Sequence, residues 1–156
     1  MKRAGFTMIE LIFVIVILGI LSAVALPKLI GVKEQANEGV IKGFVGTLNR
    51  TVGPAKWSQS LMDGDEGSIT KADGSYNILA TDTDFPSDFN ATTGIDTTKC
   101  GDITDATVNP AATSTGTPTY YIFCKDGDSS TAPKFFYSEK ATVTGTDING
   151  TELKIK

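Results

Sequence analysis

The chain opens apolar and turns polar as it proceeds. Leu11–Leu26 run sixteen positions without a charge, and between Phe6 and Leu26 the one charged side chain is Glu10. As a helix that segment is about 31 Å long, close to the ~30 Å hydrocarbon core of a bilayer. Lys2 and Arg3 precede it, a bias that predicts a cytoplasmic N-terminus with the remainder outside. Further on, Leu29, Ile30, Ala36, Val40, Ile41, Phe44, Val45, Leu48 and Val52 recur at three- and four-residue steps. That is the stripe of an amphipathic helix in phase with the apolar run. Gly53-Pro54 reads as its stop or kink, and Trp57 as a core anchor where helix meets body.

The pattern then changes. Residues 63–118 are rich in threonine and turn pairs, with Asp63-Gly64, Asp73-Gly74 and Asn109-Pro110 as punctuation, which predicts short strands or irregular loops. Tyr120–Cys124 and Lys134–Tyr137 read as strands on either side of the Asp126-Gly127 turn. Asn149-Gly150 is a hairpin turn between Ala141–Ile148 and Thr151–Ile155. The expected fold class is α+β. A long N-terminal helix, membrane-spanning in its first half and amphipathic in its second, packs on a small antiparallel sheet of three or four strands.

Composition narrows the chemistry. The 156 residues include no histidine, which removes Ser-His and Cys-His nucleophiles and most zinc sites. No nucleophile–base pair or cofactor fingerprint is evident, so neither an enzyme nor a cofactor is expected. The net charge of −4 is unevenly spread: residues 1–57 carry seven basic and three acidic side chains, residues 58–156 seven basic and fifteen acidic. An acidic C-terminal body argues against direct nucleic-acid binding there.

Three readings compete for the N-terminus. A secretory signal cleaved at Ala23-Val24-Ala25 would release a soluble binding protein. An uncut anchor would leave a membrane-tethered periplasmic module. A short basic leader ahead of a retained helix is the third. Retention is favoured because the helical pattern does not stop at Ala25, and because Glu10 costs about 2.5–3.5 kcal/mol in lipid unless something uses it.

Gly5-Phe6-Thr7-Met8-Ile9-Glu10-Leu11, followed by the apolar run and Pro27, resembles the N-terminus of type IV pilins and of type II secretion pseudopilins. The resemblance implies a prepilin peptidase that cuts between Gly5 and Phe6 and methylates the new Phe6 amine. It implies that Glu10 pairs with the Phe6 amine of a neighbouring copy, which would neutralise two charges in lipid and set the axial register. Gly19 and Pro27 are the weak points of the rod, with a bend rather than a break expected at Pro27. The implied segments are a leader (1–5), a transmembrane and filament-core helix (6–27), an amphipathic helix (28–57) and a periplasmic β-rich head (58–156). The implied partners are copies of itself and related pilins, the peptidase, an inner-membrane assembly platform with its motor, and membrane lipid. The implied location is the bacterial inner membrane, single-pass, with filaments in the periplasm or at the cell surface. The shared N-terminus does not choose between pilus and pseudopilus.

Three smaller signals remain. Cys100 and Cys124, the two cysteines, are expected to form a disulfide in an oxidising compartment, worth about 3 kcal/mol. Asp126 and Asp128, with Ser129 and Ser130, are candidate calcium ligands, since some secretion pseudopilins bind calcium in a C-terminal loop; D-G-D is equally a common turn. Asn90 and Asn149 head N-x-T sequons with an acid two residues before each, candidate glycosylation sites.

Overall fold

A computed structural model describes residues 5–90, 92–101 and 109–143. The chain divides after Asn37 into two compact units. Helix α1 (Met8–Thr47) is continuous through Pro27, although the missing proline N–H leaves the Ala23 carbonyl without its helical donor. In the first unit the apolar window of this helix is wholly unburied: Phe13, Ile15, Ile20 and Leu21 all face outward. A helix apolar all round that none of the described residues covers has the surface of one that faces lipid or other helices.

The second unit is where the chain buries its own surface. Ile41, Phe44, Val45, Leu48 and Val52 are buried in one core cluster with Ile122, Cys124, Phe135 and Tyr137 of the sheet. The amphipathic stripe is shorter than the periodicity predicts. Val40 is 54% exposed against 2% for Ile41, and Ala36 is exposed as well. One residue is a turn of about 100° round a helix, so Val40 falls beside the buried arc instead of within it.

Of the stop or kink read at Gly53-Pro54, the stop does not occur. The chain passes from α1 through a π-helical segment, Leu48–Val52, into α2, Gly53–Asp63. A π turn absorbs one extra residue and turns the following helix relative to the preceding one. Pro54 then sits in the first turn of α2, where the absent donor costs least. Gly53 is there for space: a Cβ would lie 2.9 Å from the Leu48 carbonyl oxygen and 3.1 Å from the Phe135 ring. Helix α2 ends on Gly64 in the left-handed conformation (φ 84), its N–H donating to the Ser60 carbonyl, so Asp63-Gly64, read as a turn, is a glycine-terminated helix cap.

The sheet has three antiparallel strands in sequence order among the described residues: β1 (Ala112–Thr113), β2 (Tyr121–Lys125) and β3 (Lys134–Ser138). The β2–β3 hairpin pairs Ile122 with Tyr137 and Cys124 with Phe135, so Ile122, Cys124, Phe135 and Tyr137 share the helix-facing side by the two-residue alternation. Phe123 and Phe136 point the other way and bury against Val143. The short β1 lies in the threonine-rich region where the pattern gave no distinct strand. The Asn149-Gly150 hairpin lies outside the described residues. Between helix and sheet, the described residues of 64–96 are turns and irregular chain pinned by isolated bridges, Ile78 to Ile95 and Phe89 to Ser114.

The Cys100–Cys124 disulfide is present, with Cα atoms 4.8 Å apart. It ties the end of a 3-10 turn (Thr97–Lys99) to the middle of the sheet, and both half-cystines are buried.

Candidate functional site

The N-terminal segment carries the feature most specific to function. Gly5, Phe6 and Thr7 are not helical, and all three are exposed. The Gly5–Phe6 peptide bond therefore lies in irregular chain immediately before α1, and a Cβ built on Gly5 meets nothing within 4 Å. A protease needs such an unfolded, uncrowded bond, because a helical backbone cannot lie flat in a cleft.

Glu10 sits in the first turn of α1 and forms a capping box with Thr7. Thr7 Oγ1 accepts from the Glu10 N–H at 3.3 Å, while Glu10 Oε2 accepts from the Thr7 N–H at 3.3 Å and from its hydroxyl at 3.1 Å. This is the reciprocal S/T-x-x-E arrangement that satisfies orphan donors at a helix start, and the dipole there favours a carboxylate. Glu10 thus has a partner within its own chain at a place where an unpartnered charge would be costly in lipid. Along the rod, Gly19 has open space where a side chain would project, and the Ser22 hydroxyl is turned back on the Leu18 carbonyl at 2.7 Å.

The second unit holds its polar groups in structural roles. The Asp126 carboxylate accepts from Ser68 Oγ (2.6 Å), the Ile69 N–H (2.7 Å) and the Gly127 N–H (2.9 Å). Asp128 accepts from the Ser130 N–H and hydroxyl, both at 2.7 Å, and from the Thr131 N–H at 2.8 Å. Those bonds, the Ser130 hydroxyl first, hold its pKa below the usual carboxylate range. Asp126 thus ties the Ser68–Ile69 segment to the strand end, Asp128 closes its own turn, and no cluster of three metal-ligating side chains occurs among the described residues. Trp57 Nε1 donates to the Asp128 carbonyl at 2.8 Å, so the half-buried indole anchors α2 to this turn. Asn90 is exposed and its Oδ1 accepts from the Thr92 N–H at 2.9 Å; Asn149 lies outside the described residues, as do Met1–Ala4.

Two clusters escaped the sequence reading. Asn49, within the π segment, clasps the edge of β3: its Nδ2 donates to the Phe135 carbonyl and its Oδ1 accepts from the Phe135 N–H, each at 2.9 Å. The side-chain amide thus stands in for a neighbouring strand. A polar residue between the buried Leu48 and Val52 was the available clue. The other cluster follows α2. The buried Tyr76 hydroxyl donates to Asp65 Oδ2 at 2.5 Å, with Asp63 Oδ2 3.0 Å away, and Lys71 Nζ pairs with Asp65 at 2.6 Å. The Asp65 hydrogen bond, then burial, raises the Tyr76 pKa. Lys71, followed by Tyr76, lowers that of Asp65. Lys71 is raised by Asp65 above all, with Asp73 and Asp63 adding smaller attractions, so the acids of residues 63–73 share one neighbourhood.

Comparison with known proteins bears on the N-terminus. Residues 1–26 match the family model described as the prokaryotic N-terminal methylation motif. The chain is 53% identical over 38 residues to the type IV narrow pilus major component PilA5 of Thermus thermophilus, an overlap of 24% of this chain and 33% of that protein. The chain thus spans about a third of the length of this curated relative. No solved structure matches. An apolar, unburied helix behind a capped glutamate, entered from an irregular Gly-Phe junction, coincides with the matched motif, so the likeness to type IV pilins lies in this N-terminal segment.

Proposed function

We propose that the chain is a structural subunit that is cut between Gly5 and Phe6, methylated on the new Phe6 amine, and assembled into a helical filament. The filament is a type IV pilus or a type II secretion pseudopilus, two assemblies that share this N-terminus. Residues 6–27 form the membrane span and later the filament core, 28–57 the amphipathic continuation, and 58–156 the head. The single observation that carries the reading is the coincidence of the methylation motif with an apolar helix its own chain leaves uncovered. Before assembly the subunit is a single-pass inner-membrane protein with its N-terminus cytoplasmic and its head periplasmic; prepilin peptidase, the assembly platform and the motor are its partners there.

The rod has two interchangeable solvents, lipid and sister helices. Lipid is as apolar as leucine, so little hydrophobic free energy separates them, and direction must come from polar groups and an external motor. Glu10 supplies the polar part. In the single chain Thr7 satisfies it; in the filament it exchanges that cap for the Phe6 amine of the next copy, a full opposite charge. The test is Glu10→Ala in the native host. Membrane insertion and cleavage are expected to persist while filaments disappear from electron micrographs. Normal filaments from this variant would remove the role assigned to Glu10.

A further inference from the structure

Among the described residues, a face of α1 in the second unit has nothing packed against it. Gly39, Gly43 and Gly46 form the floor of a groove of about 430 Å³, and Lys42 and Arg50 are among its walls. Both cations are exposed, and among the described residues neither joins an ion pair. A side chain at any of the three glycines would meet nothing within 4 Å, so internal packing does not call for them, yet each costs the helix about 1 kcal/mol relative to alanine. Elsewhere on the same unit, Asp63, Asp65 and Asp73 act on a single cation, Lys71, and Glu66 belongs to the same acidic segment. Glu66 is exposed, has a positive φ of 53°, and joins no ion pair among the described residues.

We propose that the acidic knob at residues 63–73 of one copy docks on the Lys42–Arg50 groove of the next. The inference rests on the filament reading and names the surfaces that reading leaves open. Two different, complementary patches on one chain make a heterologous contact, and a heterologous contact whose rotation does not close propagates as an open helix. Opposite charges also steer the incoming copy and penalise like-to-like pairing of knobs. The floor without side chains lets the knob's backbone approach the helix closely.

The test begins with full-length wild-type chain in its host. If it forms no filaments, the filament reading fails and this inference with it. Given wild-type filaments, Lys42→Glu with Arg50→Glu is expected to cut filament yield by about tenfold or more, the scale of a lost interfacial charge pair. N-terminal processing and the melting temperature should be unchanged, since both side chains are exposed. Adding Asp63→Lys and Glu66→Lys to the same chain reverses both patches and is expected to restore assembly. A benzophenone side chain in place of Thr47, which also lines the groove, should crosslink in filaments to the 63–73 peptide of a second copy. Wild-type yield from the groove reversal, no recovery on double reversal, or crosslinks confined to lipid or another surface would overturn the proposal while leaving the filament reading in place.

Discussion

Asn49 is the residue on which the helix–sheet contact is aligned. It meets both backbone groups of Phe135 and also donates to the Val45 carbonyl at 3.1 Å. Asn49→Ala leaves the Phe135 N–H and C=O without these partners. Each such loss costs about 1–3 kcal/mol, so the variant should unfold about 2–4 kcal/mol more easily in urea, with the full chain held in detergent. A loss under about 0.5 kcal/mol would mean that water replaces the clasp. The Tyr76–Asp65 pair gives the pH dependence its sign. Asp65 is lowered when folded, so its contribution is present above the ordinary carboxylate value and fades as pH falls through its folded value. Tyr76 is raised, so its contribution is complete below pH about 10 and is lost as pH climbs through the folded value. Asp65→Asn should therefore move tyrosinate absorbance of Tyr76 to lower pH, and an unmoved titration would contradict the assigned partner. The Asn49 clasp was not legible in sequence because it joins residues 86 positions apart; the Tyr76 cluster spans at most 13 positions but lies in turns that leave no period to read. The Thr7–Glu10 capping box also went unread, although its T-x-x-E spacing of three residues is a local signal.

At the scale of elements, the periodic parts were readable and the irregular parts were not. The apolar run, β2 and β3 follow directly from pattern, since burial on one face or all round leaves a period in the sequence. The strand β1 has two residues and leaves none. The π segment is invisible for a related reason: Gly53-Pro54 carries a stop signal, and the packing of Gly53 on Phe135 overrides it. That segment sets the direction of α2, which has its own consequence. Deleting Thr51 removes the extra residue and turns α2 by about 100°, so Trp57 loses Asp128. The emission of this single tryptophan should move to longer wavelength, and the head should melt at lower temperature. Unchanged emission would show that the π turn is dispensable.

At the scale of the whole molecule, each part has its own requirement. The second unit builds its own core on both faces of a three-stranded sheet and is tied by a disulfide. The apolar helix of the first unit is uncovered by the described residues, and the proposed function assigns its surface to lipid and sister copies. The central claim is that this rod remains attached to the head after a single cut. N-terminal mass analysis of the chain purified from membranes and from sheared surface material tests it most directly. The account predicts one mature species in both fractions, beginning at N-methylated Phe6. A chain beginning at Leu26, or one retaining Met1–Gly5 in the sheared material, would contradict it.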